Sequence, residues 1–201
     1  MIAVVDYKAG NLTSVMKALR AAGPGTDPVV TDDTAQVLRA ERIVLPGVGH
    51  FAATRFLEDR GLKSAIQERI GAGVPFLGIC VGLQWLFAGS TEAPGCPGLG
   101  AFPEICDRFS PGKKIPHVGW NSLAIGPGSR LFSGISNNSY VYFTHSWRVP
   151  VVQATAAVTE YGEPFTAAVE WDNIMGVQFH PEKSGDTGLR ILRNFLEWRR
   201  C

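Results

Sequence analysis

The stretch that most constrains the fold lies near the middle of the chain, where a proline introduces the apolar run 76–79 and the run ends at Cys80. A short apolar run of this kind predicts a buried strand, and the apolar spacing over residues 81–88 predicts a helix packed on a sheet. Gly78 and Gly82 let the two backbones approach closely around a sharp turn, as in turns that present a nucleophile above a sheet. The sequence therefore predicts a Cys80 sulfur that faces outward, toward a ligand.

The predicted position of Cys80 also suggests reactivity. At a helix N-terminus the unpaired N–H groups and the positive end of the dipole favour thiolate over thiol. The N–H of Val81 points to where negative charge would develop on a carbonyl oxygen after attack by sulfur, so it is a candidate oxyanion donor. A core cysteine in a glycine-rich turn is the alternative interpretation.

A candidate base lies in the segment 176–184 near the end of the chain, where His180 follows a strand-like run. In an extended segment residues i and i+2 lie on the same side, and Pro181 stiffens the link, so Glu182 is placed to hydrogen-bond one imidazole nitrogen. The other nitrogen would face a thiol. His-Pro-Glu alone is an ordinary strand exit, but together with Cys80 it has the nucleophile, base and orienter of a triad.

The order of predicted elements favours an α/β fold. Strands at 1–5, 28–31 and 42–45 alternate with helices at 12–22 and 34–40, and two further helical segments, 51–59 and 62–72, precede the central strand, which predicts an open, mostly parallel sheet with flanking helices. After a loop predicted at 89–103, β-type runs at 118–125, 140–149, 153–159, 167–171 and 174–179 predict antiparallel strands in the C-terminal half. A closing helix is predicted at 187–198. The 201 residues fit one domain, 1–201, with a sizeable core.

Composition argues against several classes of protein. A formal net charge of +1 without a basic run leaves no electrostatic footprint for nucleic acid. Arg199 and Arg200 are interpreted as a solvated helix end. No apolar run is long enough to cross a membrane, and the chain enters a strand without a leader, so we expect a cytoplasmic protein. Cysteines at 80, 96, 106 and 201 lack Cys-x-x-Cys or metal-ligand spacing, so free thiols and no metal site are expected.

The Cys80 and His180 segments together resemble the signatures of class I (triad-type) glutamine amidotransferases. Other stretches resemble, within that family, the glutaminase subunits of imidazole glycerol phosphate synthases. These stretches are Val5-Asp6-Tyr7, Ala9-Gly10-Asn11-Leu12, Pro46-Gly47-Val48-Gly49, Pro116-His117-Val118-Gly119-Trp120-Asn121 and Phe143-Thr144-His145-Ser146. The resemblance extends over essentially the whole chain and implies the single-domain class I amidotransferase-like fold.

The resemblance implies a reaction and a partner. Cys80 would attack the carboxamide of glutamine and form a thioester, His180 would move the protons, and Glu182 would orient the imidazole, with no cofactor. Ammonia would pass to a (β/α)8-barrel cyclase subunit, in a heterodimer that makes imidazole glycerol phosphate in histidine biosynthesis.

The resemblance also assigns further site residues. The loop 46–49 would supply the second oxyanion donor, the Val48 N–H, with Gly47 and Gly49 giving flexibility at the carboxyl end of a strand. Substrate contacts are expected from Gln84, Glu92, His145, Ser146 and Trp147. Two residues depart from the family pattern, since Trp147 stands where tyrosine is expected and Lys8, on a loop expected to face the partner, stands where glycine is usual.

Three other functions remain open from the sequence. The chain could be a glutaminase that serves another synthase, such as the pyridoxal phosphate or anthranilate systems. It could be a non-catalytic regulatory protein with Cys80 as a redox sensor, although that role needs neither His180 nor Glu182. It could also be a cysteine peptidase or γ-glutamyl hydrolase on the same scaffold, which would act without a partner.

Overall fold

The computed structural model describes residues 1–23, 25–112 and 114–199. In these ranges the α-helices are α1 (Leu12–Ala22), α2 (Thr34–Leu38), α3 (Arg55–Asp59), α4 (Leu62–Gly71), α5 (Val81–Trp85) and α6 (Gly185–Glu197), and 3-10 helices cover Phe51–Thr54 and Pro181–Lys183. Arg199 is exposed beyond the end of α6. Arg200 and Cys201, for which the sequence predicts a solvated helix end and a free thiol, lie outside the described residues.

Apart from β5 and β6, which the sequence did not predict, the strands fall close to the predicted segments. They are β1 (Ile2–Val5), β2 (Pro28–Thr31), β3 (Arg42–Gly47), β4 (Phe76–Cys80), β5 (Phe87–Ser90), β6 (Phe102–Arg108), β7 (His117–Ser122), β8 (Ala124–Ile125), β9 (Tyr140–His145), β10 (Trp147–Arg148), β11 (Thr155–Glu160), β12 (Pro164–Trp171) and β13 (Ile174–Val177). The predicted strands 118–125 and 140–149 are each divided into two, because the chain leaves the ladder after Ser122 and His145.

The main sheet has eight strands in the order β2-β1-β3-β4-β13-β12-β11-β8. Its first five strands run parallel, and the other three are antiparallel to their neighbours. The predicted α/β fold, with a mostly parallel sheet and antiparallel strands in the C-terminal half, is therefore confirmed. β4 is central and all five of its residues are buried, as an apolar run without alternation predicts.

Helices flank this sheet and pack in pairs, α1 against α6 and α2 against α4. The side chain of Asn11 caps α1 by accepting a hydrogen bond from the Ser14 N–H at 3.4 Å. α5 packs directly on β4 and its neighbours β3 and β13. No helix in the described ranges is both long and apolar enough to span a membrane.

Two predictions after Cys80 are wrong. The helix expected over 81–88 ends at Trp85, and β5 begins at Phe87, so the segment 89–103 begins and ends in strand rather than forming one surface loop. β5 pairs in parallel with β6, and the rings of Phe87 and Phe102 lie 5.0 Å apart. A short apolar run is compatible with either helix or strand, and here pairing with the next strand, β6, decided the outcome.

β7 and β9 form a separate two-stranded antiparallel sheet with one buried and one exposed face. His117, Phe143 and His145 point into the core. On the other face Val118 is 56%, Trp120 55% and Tyr140 60% exposed. The exposed face carries large apolar side chains, which is unusual for a surface that stays in water.

Candidate active site

Cys80 lies at the sharp turn between β4 and α5 with φ 55° and ψ −108°, a conformation that residues other than glycine rarely adopt. A Cβ atom at Gly78 would overlap the Gly82 carbonyl, and one at Gly82 would overlap the Leu45 carbonyl oxygen. Both glycines are therefore required by close packing of α5, which approaches β4 at Gly78, as predicted, and β3 at Gly82. The turn holds Cys80 in a strained and defined orientation.

The Cys80 sulfur opens onto a cavity of about 230 Å³, although the residue is only 4% exposed. The Gln178 side-chain nitrogen lies 3.6 Å from this sulfur and the Thr144 carbonyl oxygen 4.0 Å from it. The predicted residues on the cavity wall, besides Cys80, are Val48, Gly49, Val81, Gln84, Glu92, His145, Ser146 and Trp147. The fold thus brings together residues from distant segments around one thiol.

His180 and Glu182 form a buried pair beside this cavity rather than on its wall. Nδ1 of His180 lies 2.8 Å from Oε1 of Glu182, and the two side chains are 1% and 2% exposed. The predicted contact is present, but the predicted extended geometry is wrong, because residues 181–183 form a 3-10 helix that begins after His180. The Ser184 hydroxyl donates to the His180 carbonyl at 2.6 Å and fixes this turn.

The charge on His180 depends on its two neighbours. Burial lowers the pKa of His180, but the Cys80 sulfur and the Glu182 carboxylate outweigh burial and raise that pKa to about 10. Nε2, the nitrogen that does not face Glu182, is buried and has no hydrogen bond of normal geometry within the described residues. Cys80 is nevertheless close enough to stabilise the charged imidazole. The three side chains therefore form an electrostatic unit in which His180 is cationic when the sulfur is ionised.

The predicted oxyanion donors lie on two elements that meet at Cys80. Gly47, the last residue of β3, pairs directly with Cys80, and Val81 is the first residue of α5, where an N–H has no partner within the helix. Gly49 has φ +89°, which favours glycine, whereas at Gly47 a Cβ would overlap the Tyr7 hydroxyl. Gly47 does not line the cavity, so its place in the site is to allow close packing.

Gln84 and Glu92 line the cavity with side chains that already make hydrogen bonds. The Gln84 amide nitrogen donates to the Trp147 carbonyl at 3.0 Å and to the Gln178 side-chain oxygen at 3.1 Å. Oε2 of Glu92 accepts from the Phe51 N–H at 2.8 Å. Both side chains are therefore held rigidly at the cavity wall.

His145 takes part in a directed chain of hydrogen bonds. Its Nδ1 lies 2.9 Å from the Trp147 carbonyl oxygen, which only accepts, so this nitrogen carries the proton. Its Nε2 then accepts from Nδ1 of His117 at 3.1 Å, and Nε2 of His117 lies 3.3 Å from the Asn121 amide nitrogen. Burial lowers the pKa of His145 to about 3 and that of His117 to about 4, so both rings stay neutral.

Trp147, the first departure from the family pattern, is held on the cavity wall by its indole N–H, which lies 3.3 Å from the Thr91 hydroxyl. Lys8, the second departure, has φ 65°. Its Nζ forms ion pairs with the carboxylates of Asp6 and Asp32, at 3.1 Å each. A left-handed backbone at this position explains why glycine fits there without strain.

Sequence reasoning did not assign a role to Gln178 or Thr144, whose polar atoms face the sulfur. Both residues belong to motifs that support the family resemblance, and their place in those motifs is the sequence signal that could have identified them. The contact of Gln178 with Cys80 follows from strand pairing, since Val177 pairs with Ile79 and the next residues stand opposite each other, whereas Thr144 lies on β9, in the separate two-stranded sheet.

Cys96 and Cys106 are buried away from any ligand cluster. The Cys96 sulfur lies 3.5 Å from the Thr54 hydroxyl, and the Cys106 thiol donates to the Gln84 carbonyl at 3.5 Å. Burial raises the pKa of the Cys106 thiol well above its usual range. In the ranges that the structure describes, no group of three or more His, Cys, Asp or Glu residues is arranged to hold a metal ion.

The fold and the Cys-His-Glu arrangement define a triad-type amidotransferase. The family model for class-I glutamine amidotransferases matches residues 3–198, and the chain belongs to that family. Among its relatives, "Imidazole glycerol phosphate synthase subunit HisH" of Methanothermobacter thermautotrophicus is 46% identical over 198 residues, 98% of each chain. The protein with the same name from Thermococcus kodakarensis is 48% identical over 202 residues, 97% of this chain and 98% of the relative.

Solved structures show the same fold. A glutamine amidotransferase crystal structure superposes with a TM-score of 0.77 at 18% identity and covers 98% of each chain. The glutaminase domain of Trypanosoma brucei CTPS has a TM-score of 0.70 at 17% identity, with 100% of this chain and 95% of that chain covered. At these identities the likeness supports the architecture alone.

Proposed function

We propose that this protein is the glutaminase subunit of an imidazole glycerol phosphate synthase and that it hydrolyses glutamine to glutamate and ammonia. The observation that carries the proposal is the buried His180–Glu182 pair, 2.8 Å apart, acting on a cysteine that opens onto a cavity. The names of relatives that are 46% and 48% identical over nearly the whole chain supply the particular synthase. The proposal treats residues 1–201 as a single amidotransferase domain.

In the first step the Cys80 thiolate attacks the carboxamide carbon of glutamine. The sharp turn at Cys80 between β4 and α5, here called the elbow, supports this role because it fixes the sulfur at the cavity wall. Protonated His180, stabilised by the adjacent sulfur and by Glu182, gives its proton to the leaving ammonia. A glutamyl thioester remains on Cys80.

Two backbone N–H groups would hold the developing oxyanion, those of Val81 and Val48. Val81 is the first residue of α5, and Val48 follows β3, beside the strand that ends at Cys80. Both residues line the cavity. Fixed donors in a site that excludes water stabilise the charge that forms in the transition state.

In the second step neutral His180 takes a proton from water, which attacks the thioester and releases glutamate. Glu182 keeps the imidazole in the required tautomer, because its carboxylate accepts from Nδ1 and leaves Nε2 to exchange protons. All proton transfers then use one nitrogen, and no cofactor is needed.

Substrate recognition would use the other residues of the cavity wall. By resemblance Glu92 holds the α-ammonium group of glutamine, while Gln84, His145, Ser146 and Trp147 position the rest of the substrate. The hydrogen bonds that fix Gln84 and Glu92 support such roles, since a held polar group loses little entropy on binding.

The partner would be a (β/α)8-barrel cyclase, bound as a heterodimer in the cytoplasm. Ammonia at neutral pH is mostly ammonium, so a glutaminase that feeds a synthase must pass ammonia on before water protonates it. The exposed face of β7 and β9 suits such docking because Val118, Trp120 and Tyr140 project from it, and Thr144 on β9 lines the active-site cavity. A partner seated there would receive ammonia close to its source.

The test mixes the purified chain with candidate cyclases and their ribonucleotide substrate and measures glutamate released from glutamine. We expect low turnover by the chain alone and a large increase with the imidazole glycerol phosphate synthase cyclase, together with growth of a histidine-requiring strain that lacks its own subunit. Activation by another synthase alone would contradict the proposed partner. Turnover of peptides or folate conjugates without a partner would contradict the reaction.

A further inference from the structure

Gln178 lies directly against the sulfur of Cys80. In the chain it follows directly after β13. Its side chain is fully buried, and the side-chain nitrogen is 3.6 Å from the Cys80 sulfur. The parallel register of β13 and β4 places Gln178 opposite Cys80, so the contact is built into the central sheet. A buried amide in this position needs a partner for its N–H, and the sulfur provides one.

The hydrogen-bond network determines which end of this amide faces the sulfur. The nitrogen of Gln84 must face the Trp147 carbonyl, because a carbonyl oxygen only accepts. The same nitrogen is 3.1 Å from the Gln178 side chain, which must therefore present its oxygen to Gln84. The Gln178 nitrogen is consequently directed at Cys80, and a flipped amide would leave two donors facing each other.

We propose that Gln178 is a catalytic residue whose side-chain N–H holds the Cys80 sulfur and stabilises its thiolate form. The proposal rests on the glutaminase function proposed above. A thiol sulfur is a weak acceptor, whereas a thiolate is a charged acceptor, so an N–H directed at sulfur favours the ionised form. Because the amide is buried, water does not compete for the bond.

This role differs from that of the triad. His180 and Tyr7 are the titratable groups that interact with Cys80, and Glu182 acts on His180 from its other side. The Thr144 carbonyl, 4.0 Å away, places negative partial charge near the sulfur. Gln178 contributes a donor that carries no net charge and takes no proton, so it assists the thiolate in every protonation state of His180.

The test measures alkylation of Cys80 by iodoacetamide as a function of pH in the full-length chain. Gln178→Met keeps the length of the side chain and removes the N–H. We expect its alkylation profile to move to higher pH and the rate at neutral pH to fall about tenfold, the size expected for one hydrogen bond to a charged group. In the complex the kcat for glutamine should fall by a similar factor while KM and ammonia-dependent synthesis are retained.

Two further variants separate this effect from damage to the fold. Asn194→Leu removes another buried amide, on α6 and bonded to the Leu131 and Ser133 carbonyls, and should keep the wild-type alkylation profile. Gln84→Met leaves Gln178 in place but frees its amide to rotate, so it should shift the profile in the same direction by less. If Gln178→Met does not fold, the alkylation profile of Gln84→Met tests the proposal instead.

A folded Gln178→Met chain with the wild-type alkylation profile would overturn the proposal, and so would an unshifted Gln84→Met profile when it is the only folded variant. Failure of the proposed function would look different, because the wild-type complex would not use glutamine at all. The alkylation measurement requires no glutamine, so its result stands in either case.

Discussion

His180 and Glu182 are held 2.8 Å apart by a single turn of 3-10 helix, Pro181–Lys183, that begins directly after the histidine. Because both partners belong to one short turn, their geometry depends little on distant packing. Cys80 reaches the pair from the central strand of the sheet. The three side chains therefore combine a local pair, His180 and Glu182 within one turn, with a nonlocal contact to Cys80. Substitutions in the local pair and at Cys80 should have different effects.

Removing the base should cost more activity than removing its orienter. His180→Ala removes the proposed proton carrier, and glutamine-dependent turnover should fall on the order of a thousandfold or more. Glu182→Gln leaves the imidazole in place but weakly directed, so its loss should be smaller. Steady-state glutamate release by the complex measures both, with exposed Glu68→Gln as the matched control. Equal and small losses in both variants would show that His180 is structural.

Glutamine analogues with an electrophile at the δ-carbon should label Cys80 and no other cysteine. Cys80 alone among the described cysteines combines a neighbouring base with a cavity, whereas burial raises the pKa of the Cys106 thiol. Mass spectrometry of the digested protein locates the label, and excess glutamine should protect against it. First modification of Cys96 or Cys106, with loss of activity, would show that the site has been assigned to the wrong residue.

Gly82→Ala should destabilise the fold and distort the elbow. The new Cβ would overlap the Leu45 carbonyl oxygen, so α5 has to move away from β3. We expect a loss of about 1–3 kcal/mol in the free energy of unfolding, typical of overpacking, measured by denaturant unfolding. Gly71→Ala is the control, since nothing lies within 4 Å of its Cβ position, and it should be neutral or slightly stabilising. Equal free energies of unfolding for Gly82→Ala and Gly71→Ala would contradict the close approach of α5 to β3 at Gly82.

Acid should destabilise the protein partly through the neutral pair of His117 and His145. Their pKa values are about 4 and about 3 in the folded protein, below the ordinary value of 6.5, so the unfolded chain binds more protons. The free energy of unfolding should therefore fall as the pH is lowered from 6.5 toward 4. His145→Gln should reduce this slope, as measured by urea unfolding at several pH values. An identical slope in wild type and His145→Gln would contradict the assignment.

The elbow could be predicted from sequence because its determinants are local. Gly78 and Gly82 mark the close approach around Cys80, and the two-residue spacing of His180 and Glu182 brings them together even though the backbone is a turn rather than the expected strand. Local patterns suffice when the residues that must meet are near in the chain.

The features that the sequence predicted wrongly or missed are those that tertiary contacts determine. Residues 87–90 pair with β6 as a strand, a choice that an apolar run does not encode by itself. The contact of Gln178 with Cys80 depends on the register of two strands almost a hundred residues apart, and the His117–His145 bond depends on the pairing of β7 with β9. Neither relationship leaves a periodic signal in the sequence.

The most direct test of the account compares two nitrogen donors in the Cys80→Ala complex. In the proposed mechanism Cys80 generates ammonia and takes no part in its use, and replacing one small side chain at the elbow removes little packing, so the fold and partner binding should survive. Product formation from glutamine should be abolished, while formation from ammonium at alkaline pH should stay near the wild-type rate at saturating ribonucleotide. Retained use of glutamine would show that Cys80 is not the nucleophile, and loss of both activities in an intact complex would contradict the role of this chain as an ammonia source.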